Sequence, residues 1–138
     1  MDRQTQVERA ERFRALHDRR RVLLLPNAWD AGSARVFTEL AFDAIATTSG
    51  GVAWSLGYAD GEQAPRAEVL KAVERIVRVT PLPVSVDFEA GYGESPEAVA
   101  ASVRAVISSR SSRCRAETRD SATWNSVCAS QAERRSRS

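Results

Sequence analysis

Short apolar runs and amphipathic helical stretches alternate three times along this chain, and that alternation confines it to a parallel α/β fold. Val22-Leu23-Leu24-Leu25, closed by Pro26, is a continuous apolar run of the kind that forms a strand buried on both faces. Ala44-Ile45-Ala46-Thr47-Thr48 reads as the second strand and Leu82 to Val86 as the third. Before the first strand, Val7, Ala10, Phe13 and Leu16 recur at helical spacing among charged residues, which predicts an amphipathic helix ending near His17. After it, Asp30 or Ser33 can cap a helix whose Ala34, Val36, Phe37 and Leu40 face inward. A helix over residues 66–79 carries Val69, Leu70, Val73, Ile76 and Val77 on one face. Ser95, with Pro96 at the first helical position, opens another that carries Val99, Val103, Val106 and Ile107. One helix followed by three strand–helix units implies a parallel sheet, either doubly wound or a (β/α)8 barrel.

The pattern stops at residue 108. Residues 1–107 hold 13 Lys and Arg against 15 Asp and Glu, with six serines and no cysteine. Residues 108–138 hold 7 Arg against 3 acids, nine serines and both cysteines, Cys114 and Cys128, where a Gly-rich turn and a fourth apolar strand are due. Residues 1–107 therefore read as the foldable, parallel α/β part and 108–138 as a disordered or frameshift-derived tail. One choice of codons for residues 112–119, read a base later, encodes Ala-Gly-Val-Gly-Leu-Lys-Leu and the start of an acidic codon, as the missing strand requires. The spacing of the two cysteines suits neither a disulfide framework nor a metal site, so a reducing cytoplasm is expected. No apolar run approaches the roughly 18 residues of a membrane span, and the charged N-terminus carries no leader pattern. A net charge of +2 gives no reason to expect nucleic acid as a partner of the folded part.

The small and polar residues cluster after the strands, where parallel α/β folds build their sites. Thr48-Ser49-Gly50-Gly51 offers hydroxyls and closely approachable backbone N–H groups to an anionic oxygen, or is a plain turn. Asp87 and Glu89, two residues apart, would point to one side of an extended backbone beside a flexible Gly91-Tyr92-Gly93. Such a pair suits a hard cation such as Mg²⁺, with waters and substrate oxygens completing its shell, or is merely solvated. Asp60 is a mobile acid or base, or a turn residue in Ala-Asp-Gly. His17, the one histidine, precedes the first strand and is expected at the surface, which leaves no local case for histidine chemistry.

Four segments occur in order: Pro26-Asn27-Ala28-Trp29-Asp30-Ala31-Gly32-Ser33, Ala46-Thr47-Thr48-Ser49-Gly50-Gly51, Leu56-Gly57-Tyr58-Ala59-Asp60-Gly61 and Asp87-Phe88-Glu89-Ala90-Gly91-Tyr92-Gly93. Over about residues 10–107 the chain closely resembles the isocitrate lyase/phosphoenolpyruvate mutase superfamily. The resemblance implies a (β/α)8 barrel, homo-oligomeric in intact relatives, and a bound Mg²⁺. It also implies a small α-oxo- or 2-hydroxy-carboxylate substrate in which a C–C or P–C bond is made or broken. It casts Asp87 as the carboxylate nearest the metal, Glu89 as a second, water-mediated contact, Thr48, Ser49 and Gly50 as the grip on the substrate, and Asp60 as the acid of a gating loop. The family's fourth-strand acidic residue and its lyase branch's cysteine loop are absent, and neither Cys114 nor Cys128 has the surroundings of that loop. Lyase, decarboxylase, hydrolase and mutase branches therefore stay open, and the chain itself is expected to be an inactive fragment.

Two other classes compete. A non-catalytic fragment could bind polyanions weakly through its basic tail, although Trp124 is that tail's single aromatic. A doubly wound domain could hold a phosphorylated ligand, but it lacks G-x-G-x-x-G and P-loop patterns, and no helix start is expected close after Gly50-Gly51.

Overall fold

The computed structural model describes residues 3–18 and 20–108. Its elements run α1 (Arg3–Ala15), β1 (Asn27–Ala28), α2 (Ala31–Glu39), β2 (Ile45–Thr47), α3 (Ser49–Ser55), α4 (Arg66–Arg78), β3 (Val84–Ser85) and α5 (Pro96–Ser108). The strands form one parallel sheet in the order β1-β2-β3, with Asn27 opposite Ala46 and Ile45 opposite Val84. No strand is skipped, so the described sheet has no switch point of the doubly wound kind. All three strands end on the same side, which gathers their following loops at one edge. Apart from Ser108, which ends α5, the expectations for residues 108–138 lie outside the described residues.

The core lies between the sheet and α4. Ile45 and Val84 from the strands meet Val69, Val73, Ile76 and Val77 of α4, joined by Val52 of α3 and Val106 of α5. The predicted helical spacing in residues 66–79 is therefore the buried face of α4, with Leu70 packed partly against it. Two polar links sit inside this packing without leaving an orphan group. The fully buried Thr80 shares a 2.7 Å hydroxyl–hydroxyl bond with Thr38 of α2 and accepts from the Leu82 N–H at 3.1 Å. Arg66 Nη1 donates to the fully buried Ser102 hydroxyl at 2.8 Å, tying α4 to α5.

Three expectations fail locally. Val22–Leu25 is not a doubly buried strand: Val22 is 84% and Leu24 66% exposed, while Leu23 and Leu25 are half-buried. Pairing starts only at the Pro26 carbonyl, which accepts from the Ala46 N–H at 2.9 Å. The run thus lies outside the described sheet, and only its alternate side chains Leu23 and Leu25 are partly covered. Helix α2 buries Ser33 and Ala34, whereas Val36 and Leu40 face out. Ser49-Gly50-Gly51 is no turn but the first turn of α3, so a helix does start at the glycines.

Candidate functional site

Helix α3 starts where it does because Thr48 caps it: the Thr48 hydroxyl accepts from the Gly51 N–H at 3.3 Å and its carbonyl from the Val52 N–H at 2.9 Å. The cap leaves Ser49 at the first helical position, facing the end of β3. There the Ser49 hydroxyl donates to Asp87 Oδ2 at 2.9 Å, and the Ser49 N–H points to the same oxygen at 3.4 Å. Asp87 is further held by its own N–H, which donates to the buried Thr47 hydroxyl at 3.0 Å, while its Oδ1 accepts from the Glu89 N–H at 3.1 Å. The Asp87 carboxylate remains exposed to solvent.

Gly50 is buried against Asp60: a Cβ built on it would stand 3.2 Å from the Asp60 carboxyl. The glycine therefore lets the acid of the α3–α4 loop lie against the first turn of α3. Thr48, Ser49, Gly50, Asp60 and Asp87 are thus brought together at the strand ends.

Glu89 is placed differently. Its backbone is left-handed, with φ 51°, so the alternation of an extended strand does not carry from Asp87 to Glu89. Its carboxylate turns to the α3–α4 loop, where Oε2 accepts from the Glu62 N–H at 2.5 Å, and Oε1 accepts from the Tyr92 hydroxyl at 3.4 Å. Glu62 Oε1 in turn accepts from the Tyr92 N–H at 2.8 Å. Burial, together with the charges of Asp60 and Glu62, pushes the Glu89 carboxyl above the usual range against the two bonds it accepts. Burial and the neighbouring Glu89 and Glu62 raise the Tyr92 phenol to about 12.

Sequence reasoning missed Glu62, Tyr92 and Thr47. Tyr92 lies inside the Gly91-Tyr92-Gly93 segment, whose glycines suggest flexibility but which packs tightly on α5. A Cβ at Gly91 would meet Val99 at 2.7 Å, and one at Gly93 would meet Ala98 at 2.7 Å. His17 is exposed, with Nδ1 2.8 Å from the Phe13 carbonyl, as expected of a surface residue.

The donor set is carboxylate and hydroxyl. Among the described residues, ion pairs involve Asp18, Asp43 and Glu74, and none is formed by Asp60, Glu62, Asp87 or Glu89. No three His, Cys, Asp or Glu side chains among the described residues form a cage for a metal ion. Such a site suits a hard divalent cation that takes one or two carboxylates and leaves its other positions to water and substrate oxygens. Among the described residues no helix is long and apolar enough to cross a membrane.

A profile of the phosphoenolpyruvate phosphomutase family matches residues 13–135. A candidate phosphonomutase from Burkholderia cenocepacia superposes with a TM-score of 0.70 at 51% identity, over 72% of this chain and 40% of that one. A 2,3-dimethylmalate lyase of the phosphoenolpyruvate mutase/isocitrate lyase superfamily gives a TM-score of 0.63 at 32% identity, over 75% and 35%. A 2-methylisocitrate lyase from Halalkalibacterium halodurans is 35% identical over 89 residues, covering 64% of this chain and 30% of the relative. The chain therefore spans about a third of the length of the curated relatives it matches. Its alternating helices and parallel strands match part of these barrel structures.

Proposed function

Since this chain belongs to the phosphoenolpyruvate mutase/isocitrate lyase superfamily, we propose that it carries the carboxylate-binding and metal-binding corner of a Mg²⁺-dependent enzyme acting on an α-oxo- or 2-hydroxy-carboxylate in the cytoplasm. The observation that supports this most is the Ser49–Asp87 bond, which joins the hydroxyl of the substrate grip to the carboxylate of the metal site. Asp87 would hold Mg²⁺ directly and Glu89 through water. When bound, Mg²⁺ supplies Lewis-acid polarisation of substrate oxygens. Thr48, Ser49 and Gly50 hold the substrate's carboxylate and oxo group. Asp60, on the loop against Gly50, would serve as the acid or base of that loop, and closing the loop would exclude water from the reacting carbon.

The reaction would be cleavage or formation of a C–C or P–C bond, with residues 1–107 supplying the N-terminal part of a barrel that is homo-oligomeric in intact relatives. Alone, the 138-residue chain is expected to turn over neither oxaloacetate nor 2-methylisocitrate, because both edges of the sheet formed by the described residues are open. Calorimetric titration of the full chain with Mg²⁺ and then oxalate tests the site. Binding of oxalate that needs Mg²⁺ and is lost in Asp87→Ala supports the reading. Oxalate binding indifferent to both refutes it.

A further inference from the structure

The structure assigns Glu62 the role of a positioning residue: it clasps the α3–α4 loop to the β3–α5 loop and so fixes where Asp60 and Glu89 stand. Its main-chain N–H donates to Glu89 Oε2 and its carboxylate accepts from the Tyr92 N–H, while the Tyr92 hydroxyl closes the ring on Glu89 Oε1. Both carboxylate oxygens of Glu89 are therefore engaged, one by each loop. Glu62, Glu89 and Tyr92 all have left-handed backbones, with φ of 60°, 51° and 55°. Residues other than glycine keep that conformation only where surrounding bonds over-determine it, and here the three over-determine one another. The Phe88 and Tyr92 rings are in contact beside this clasp, 5.0 Å apart between centroids. Asp60 is two residues from Glu62 and lies against Gly50, so a fixed Glu62 limits where Asp60 can go.

The clasp stands on geometry alone; only its consequence for a cation rests on the reading of Asp87 and Glu89 as the metal site. The test is hydrogen exchange resolved to single amides on the full chain, with Mn²⁺ broadening of the Ser49 and Asp87 amide signals as the cation probe. In Glu62→Ala the Tyr92 amide should exchange about tenfold faster, the mark of one lost hydrogen bond. In Glu62→Gln, whose side-chain oxygen still accepts, it should stay within about threefold of the unaltered chain. Protection at Ile45 and Val77 reports that the core is intact. Both variants lose the same charge, yet Glu62→Ala should weaken Mn²⁺ binding by about tenfold and Glu62→Gln by less, because only the first releases the loop.

Unchanged Tyr92 exchange in Glu62→Ala overturns the clasp, and equal weakening of Mn²⁺ by the two variants overturns the positioning role in favour of charge alone. Should Glu62→Ala lose its core protection, Glu89→Ala decides: faster exchange at the Glu62 amide supports the clasp and unchanged exchange overturns it. A lack of Mn²⁺ broadening in the unaltered chain refutes the cation reading and leaves the exchange result to judge the clasp.

Discussion

The Ser49 hydroxyl donates to Asp87 Oδ2 at 2.9 Å, so the residue at the first turn of α3 and the residue at the end of β3 are fixed by one bond. A hydrogen bond to a charged acceptor is among the stronger kinds, but here the acceptor is exposed and water competes for it.

Removing the bond and removing the charge should therefore separate. Ser49→Ala is expected to cost about 0.5–1 kcal/mol of stability, discounted for that exposure. Asp87→Asn keeps an oxygen for the Ser49 hydroxyl, so it should cost less stability while abolishing Mn²⁺ binding. Urea titration and a Mn²⁺ titration of the same two variants check the crossing.

The two glycines of α3 should respond differently to alanine. At Gly50 a new methyl meets the movable end of Asp60 at 3.2 Å, and the gain in helix propensity of about 1 kcal/mol offsets the displacement. At Gly51 it meets Thr48 Cγ2 at 2.7 Å and Trp29 Cβ at 3.0 Å, atoms held close to the backbone. Gly51→Ala is expected to be destabilised by about 1–3 kcal/mol and Gly50→Ala to stay near the unaltered chain. Thermal melts of both rank them; the reverse order would contradict the structure.

The pH dependence carries opposite signs at two carboxylates. Glu89, raised by burial and by Asp60 and Glu62, binds its proton more tightly folded than unfolded. Its stabilising contribution is present in full below the ordinary value of 4.5 and is lost as pH climbs through the raised one. Glu89→Gln should flatten the stability profile just above that value, read from urea midpoints at successive pH.

Asp30 works the other way. The Ser33 N–H, donating to Asp30 Oδ1 at 2.7 Å, and the Ser33 hydroxyl lower its carboxyl below the ordinary 3.8. The stability it gives α2 is present above that value and is lost as pH falls through the lowered one. Asp30→Ala should cost about 1 kcal/mol at neutral pH, the usual worth of an N-cap, and lose the acid-side decline. Ser33 completes the box from its side, with its hydroxyl accepting from the Asp30 N–H at 3.1 Å.

What the sequence made legible was set by periodicity and by order. The face of α4 is plain because Val69, Val73, Ile76 and Val77 repeat at helical spacing and meet strands that bury the same side. Ser49 and Asp87 could be placed at one edge because successive parallel strands end there. Val22–Leu25 misled because an apolar run carries no mark of where pairing begins, and among the described residues pairing with β2 begins only at Pro26. Glu62 and Tyr92 were invisible because the sequence advertises positive φ through glycine, whereas these residues hold it through contacts from another loop.

The sheet order also sets a sequence of events during folding. Asn27 and Ala46 are about half as far apart along the chain as Ile45 and Val84, and each doubling of a closed loop adds roughly 0.6 kcal/mol of entropic cost. The β1–β2 pair is thus the cheaper one to close, yet β3 brings Val84 and the α4 face that bury Ile45. The first contact to form is then not the one that retains the chain, and the rate of forming the sheet should follow changes at Ile76 or Val77 more than changes at Asn27.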